Sequence, residues 1–278
     1  MAAPRRRARD RSEGGAGSEL LARVLVAVPA AVLAVVLIDL GGLAWALFMI
    51  AVGWACLLEL YGLLARWRPV SLVGLASAAG MVLAARYGHA ADILEVAMIT
   101  VPVLFVAVIL RGRGRSTTAI ASTLFGLVWI GFAVAHGELL RRLPHGDGVV
   151  LDVLVGTFVG DTAAYLGGRL FGRRRLAPTI SPGKTVEGLA CGMLLAIVSI
   201  FLAGMFQAWL TQTDAVWLGV TVAVVGPLGD LFESAVKRDA GTKDAGRLFG
   251  PHGGVLDRAD AALFTIVAGY YVWSALLH

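Results

Sequence analysis

Nine long apolar runs separated by short polar ones dominate this chain, at about 21–38, 43–65, 70–88, 93–110, 118–136, 149–170, 186–207, 215–233 and 259–277. A bilayer core about 30 Å thick takes a helix of roughly 20 apolar residues. Inside it no water satisfies the backbone, so each run must fold as a helix that pairs its own polar groups. Composition agrees. Of 278 residues, 58% are hydrophobic and 15% charged, where a soluble domain carries roughly a quarter charged. The expected fold is all-α, a polytopic bundle of about nine transmembrane helices. The run at 70–88 is the weakest, being rich in Gly, Ala and Ser, yet small residues are common where membrane helices pack closely.

Positive charge tests the span count. With the N-terminus in the cytoplasm, nine alternating spans leave only Arg86, Arg141 and Arg142 of the 24 basic residues outside. This bias is what the positive-inside rule requires, and a wrong span count would scatter the charges. Residues 1–20, with Arg5, Arg6, Arg7, Arg9 and Arg11, read as a disordered basic cytoplasmic tail. The run from Leu20 to Ile38 is long enough to be a retained first helix. The net charge of +5 is explained by residues flanking spans, so nucleic acid is not an expected partner. Cys56 and Cys191 lie in separate apolar runs without metal-ligand spacing and read as packing residues. The chain divides into the tail, N-terminal spans over 21–136 and a polar-studded region over 149–278. The latter's two longest polar loops, 171–185 and 234–258, fall on the same cytoplasmic side.

Those loops carry the chemistry. In the segment from Gly229 to Asp260, Asp230, Glu233 and Lys237 share one helical face, and Asp257 and Asp260 point together where the last helix begins. Carboxylates near a membrane core are costly and usually face a partner, a cavity or a metal. Carboxylates hold hard ions such as Mg²⁺, and the cations Lys237, Arg238, Lys243 and Arg258 hold phosphate oxygens. His252-Gly253-Gly254 adds a turn whose backbone can approach a ligand closely. Helix capping is the plainer reading of either Asp257 or Asp260 alone, but the whole constellation reads as a phosphate-and-metal site. In the other loop, Arg173, Arg174 and Arg175 suit headgroup anchoring. Ser181-Pro182 resembles a helix start, with Ser as cap and Pro in the first turn. Lys184, Thr185 and Glu187 follow, and a helix N-terminus with a lysine suits phosphate. A P-loop is excluded, because Pro178 stands where its first glycine belongs. Asp161, inside the sixth span, is open to a functional role or a structural hydrogen bond. Asp39, Glu59 and Glu95 have no assigned role.

Taken together, these residues resemble the phosphatidate cytidylyltransferase family, also called CDP-diacylglycerol synthases. The resemblance rests on Ser234, Val236, Lys237-Arg238, Lys243-Asp244, His252-Gly253-Gly254, Val255, Asp257-Arg258 and Asp260. Upstream, Asp161 with Ala163, Ala164 and Tyr165, and Ser181-Pro182 with Lys184, Thr185 and Glu187, are similar too. The first five spans match only as apolar helices. The resemblance implies that CTP and phosphatidate give CDP-diacylglycerol and pyrophosphate in phospholipid biosynthesis. It implies Mg²⁺, with room for a second metal ion, on Asp230, Asp257 and Asp260. Lys237, Arg238, Lys243 and Arg258 would hold phosphates, and His252 is a candidate base. Ser181, Lys184, Thr185, Glu187, Ser234, Gly253, Gly254 and Asp161 would complete the substrate site. The expected setting is the inner (plasma) membrane, multi-pass, with the site facing the cytoplasm. Small-residue helix faces also permit a homodimer. A different lipid acceptor and a polytopic transporter are the alternatives.

Overall fold

The computed structural model describes residues 29–112, 116–242, 246 and 254–278. Lys243, Arg247, His252, Gly253, Arg113, Arg115 and the basic tail lie outside the described residues. The helices are α1 (Pro29–Leu40), α2 (Gly42–Leu63), α3 (Ser71–Tyr87), α4 (Ala90–Leu110), α5 (Ser116–Gly126), α6 (Phe132–Arg142), α7 (Gly146–Phe171), α8 (Val186–Gly204), α9 (Gln212–Asp239) and α10 (Leu256–Leu276). A π-helical turn at Leu127–Gly131 joins α5 to α6 without a break, so Ser116–Arg142 forms one span. Among the described residues seven helices are long and apolar enough to cross a membrane, and Pro29–Leu40 and Ser71–Tyr87 are shorter apolar helices. The protein is thus an all-α, multi-pass membrane protein.

One short element departs from pure helix. β1 (Arg175–Ala177) and β2 (Ser181–Thr185) pair antiparallel between α7 and α8, with Arg175 opposite Thr185 and Ala177 opposite Ser181. This corrects the expectation that Ser181-Pro182 starts a helix. α8 begins at Val186, and its cap is Thr185, whose Oγ1 accepts from Gly188 N–H at 3.1 Å. The Val186 amide donates to Arg174 O at 2.9 Å. Strand pairing therefore holds the chain extended past Ser181 until Thr185 caps the helix.

Close backbone contact locks α7 to α8. A Cβ on Gly192 would stand 2.7 Å from Gly160 O, and one on Gly188 would stand 2.6 Å from Ala164 O. The small-residue faces of these two helices are consumed inside the chain, where glycine lets backbones approach. Among the described residues the larger of two buried apolar clusters runs from Ile38 in α1 to Trp273 in α10. Polar ties span it too, as where Trp45 Nε1 donates to Gly137 O at 3.1 Å.

The bundle's two ends differ in charge. At one end Arg86 pairs with Glu138 at 3.1 Å, while Arg141 and Arg142 donate to the carbonyls of Ile38 and Gly88. These are the three cations that the charge count leaves outside, and protein groups engage each of them. At the other end Arg66 donates to Asp239 O, Arg111 to Pro69 O and Arg238 to Ile180 O. The remaining described cations gather there, with the hairpin.

Candidate active site

Three helices and the hairpin build one polar region. α7 contributes Asp161, Tyr165 and Arg169 near its C-terminal end; the hairpin contributes Lys184 and Thr185; α9 contributes Asp230. Together with the apolar residues Ala164, Leu176, Leu189 and Pro227 they line a cleft of about 510 Å³. Pro227 lies inside α9 and cannot donate to the carbonyl of the preceding turn. Lys184 Nζ lies 2.6 Å from Asp230 Oδ2. Arg238 Nε donates to Ile180 O at 3.1 Å. The two polar loops singled out in the sequence therefore meet.

Behind the cleft the polar groups are more enclosed. Lys237 Nζ sits 2.5 Å from Glu233 Oε2 and 2.9 Å from Asp257 Oδ1. The three side chains are 14%, 1% and 15% exposed, so this is a buried bracket joining α9 to α10. Asp257 Oδ2 accepts from Gly254 N–H at 2.8 Å. Asp260, one turn further on, is buried and within electrostatic reach of Asp230, Glu233 and Asp161. Arg258 is exposed at the start of α10, and Ser234 is half-buried on α9.

The structure sorts the residues anticipated from sequence. It brings Asp161, Lys184, Thr185 and Asp230 into one cleft. Lys237 is spent on two carboxylates and is not an open phosphate contact. Glu187 Oε2 accepts from the amides of Arg173 and Arg174 at 2.9 and 3.2 Å, tying the exit of α7 to the start of α8. Thr185 caps α8 while its side chain also reaches the α7 end at Gly168. Two acids to which the sequence assigned no role matter. Glu233 is readable as an i, i+4 partner of Lys237. Glu59 on α2 accepts from Leu256 N–H at 2.8 Å, and nothing local in the sequence signals that contact.

Asp230, Asp257 and Asp260 do not form one ready-made metal cage. Among the described residues no group of three or more His, Cys, Asp or Glu is placed to hold a metal ion. Both oxygens of Asp257 are engaged by Lys237 and Gly254. The chemistry of the remaining donors still suits a hard cation. Five carboxylates (Asp161, Asp230, Glu233, Asp257 and Asp260) stand around Lys184 and Lys237, and Asp260 faces three other acids from a buried position. Mg²⁺ usually takes only one or two carboxylates, completing its shell with water and substrate phosphates. Asp230 and Asp260 fit that smaller role.

Comparison with known proteins gives the family of the chain. The profile of the cytidylyltransferase family matches residues 21–276. The chain is 36% identical over 163 residues to the phosphatidate cytidylyltransferase of Mycobacterium bovis, covering 59% of this chain and 53% of that one. It is 31% identical over 265 residues to the phosphatidate cytidylyltransferase of Bacillus subtilis, covering 90% and 96%. A protein of Escherichia coli named uncharacterized protein YnbB is 36% identical over 157 residues, covering 55% and 53%. The chain spans about half the length of the mycobacterial and E. coli relatives. With a family profile matched from the first span to the last, the chain belongs to the cytidylyltransferase family.

Proposed function

We propose that this chain transfers a cytidylyl group from CTP to phosphatidate, giving CDP-diacylglycerol and pyrophosphate. The observation that carries the reading is the Lys184–Asp230 contact in a cleft of mixed polar and apolar lining between α7, the hairpin and α9. Such a cleft suits a water-soluble triphosphate and a lipid phosphate meeting at a membrane surface. The names of the Mycobacterium bovis and Bacillus subtilis relatives point the same way.

In this reading a phosphatidate oxygen attacks the α-phosphorus of CTP, the bond from that phosphorus to the bridging oxygen breaks, and pyrophosphate leaves. Phosphatidate is already anionic at neutral pH, so no side chain must remove a proton. The task is to position two anions and neutralise their charge. Lys184, Arg169, Arg238 and Arg258 supply positive charge. Asp230 and Asp260 would hold Mg²⁺ against the phosphates, and Mg²⁺ when bound neutralises and orients phosphate oxygens. Asp161 shapes the α7 wall. The charged end of the bundle would face the cytoplasm, where CTP is found, as the positive-inside rule supports.

The test is conversion of radiolabelled CTP to a lipid product by purified protein in micelles containing phosphatidate, with and without Mg²⁺, beside Asp260→Asn. The reading expects a Mg²⁺-dependent CDP-lipid that the variant does not form. No product from folded protein with any divalent ion would refute phosphatidate as acceptor.

A further inference from the structure

We propose that Glu59, on the second membrane helix, is a positioning residue that sets the start of α10 and, through it, the carboxylates of the site. The inference rests on the proposed function for its activity readout. Glu59 lies near the charged end of α2 and is only 9% exposed. Its Oε2 accepts from the amide of Leu256, the first residue of α10, at 2.8 Å across 197 positions of sequence. The first amides of any helix lack partners within it. Val255, at the cap position of α10, provides no side-chain bond. A carboxylate borrowed from another helix therefore does the capping, and its charge complements the helix dipole.

Two glycines close on the same carboxyl. A Cβ on Gly246 would stand 2.6 Å from Glu59 Cδ, and one on Gly254 would overlap Glu59 Oε2. A side chain at either place would push the acid from its position. From Gly254 the connection runs to the bracket, since the Gly254 amide donates to Asp257, which pairs with Lys237, which pairs with Glu233. Asp260 follows Asp257 by about one turn of the same helix. One turn before Glu59, Cys56 is fully buried, and α2 packs against α10. Just beyond α2, Arg66 donates to Asp239 O at the end of α9 at 3.1 Å. The α2 end and the turn after it thus hold both α9 and α10, which carry four of the five site carboxylates. This gives the N-terminal spans a part in the chemistry without touching substrate.

The experiment compares Glu59→Ala, Glu59→Gln and, as control, Glu95→Ala at an exposed position of α4. Amide hydrogen exchange at Leu256 and steady-state CTP turnover are measured on purified full-length protein in micelles with phosphatidate and Mg²⁺. Glu59→Ala is expected to speed exchange at Leu256 and lower kcat about 100-fold at unchanged KM for CTP, the scale of a small misplacement of catalytic groups. Glu59→Gln keeps a carbonyl acceptor and should restore protection and most of kcat. Gly254→Ala, which pushes on the acid without removing it, should lower kcat as Glu59→Ala does, and serves if the alanine variant does not fold. Unchanged kcat in Glu59→Ala, or equal losses in Glu59→Ala and Glu59→Gln with Leu256 still protected, would overturn the proposal. If the unaltered protein turned over no CTP, the proposed reaction would fall, while exchange at Leu256 would still decide whether Glu59 holds the helix start.

Discussion

Lys184 Nζ lies 2.6 Å from Asp230 Oδ2, joining a two-stranded hairpin to the inner half of α9. Both side chains remain partly open, at 25% and 34% exposure. A pair so placed contributes only about 0–1 kcal/mol to stability. Its importance is the position of the lysine over the cleft. Lys184→Met is therefore expected to lower kcat/KM for CTP by roughly 100-fold, as for loss of one preorganised donor, with little change in the melting temperature in detergent. A large melting shift with intact turnover would show that the pair is structural.

The Lys237 bracket should behave in the opposite way. Lys237→Met leaves Glu233, 1% exposed, facing Asp257 without its cation. Breaking a buried pair from one side costs about 3–5 kcal/mol. Thermal unfolding should report that loss, and Glu233→Gln added to Lys237→Met should recover part of it. Equal stability of the single and double variants would remove the bracket as the cause.

Metal dependence should separate the three aspartates. Chelation with EDTA is expected to stop turnover, and Mg²⁺ to restore it. Asp230→Asn and Asp260→Asn should raise the Mg²⁺ concentration for half-maximal rate by about tenfold or more, in the range for altered metal sites. Asp257→Asn should instead lower stability and leave that concentration unchanged, because its oxygens bind Lys237 and Gly254. A shift for Asp257→Asn alone would restore it as the primary ligand.

The start of α8 offers a local test. Thr185→Ala removes the cap oxygen from Gly188 N–H and should cost about 1 kcal/mol. Ser181→Ala, in β2, should leave thermal unfolding unchanged. The reverse ranking would place the helix start at Ser181 after all.

Close packing of α7 on α8 makes a further prediction. Gly192→Val would drive a side chain into Gly160 O and Ala164 Cβ, at 2.7 and 2.8 Å from the first added carbon. Overpacking of this kind costs about 1–3 kcal/mol. The cleft borders this interface through Asp161 and Ala164, so turnover should fall together with melting temperature.

Membrane insertion, helix positions and the charge difference between the two ends were legible in the sequence, because each depends on local hydropathy or on residues flanking a span. The runs expected at 43–65 and 93–110 appear as Gly42–Leu63 and Ala90–Leu110. The motif residues Asp230, Asp257 and Asp260 were also legible as candidates, since acids at the ends of apolar helices stand out against their neighbours. Tertiary structure alone decided what each acid meets. Helical spacing puts Lys237 beside Glu233 but does not reveal that Asp257 completes the bracket. Strand pairing with Arg175–Ala177 overrode the local cap signal at Ser181. Glu59, with no motif around it, became a partner of Leu256 only because α2 packs behind α10. Hydropathy acts residue by residue, so one sequence suffices to place the helices in a bilayer. The partner of a buried polar group depends on which helices touch, and that is settled only when the whole bundle packs.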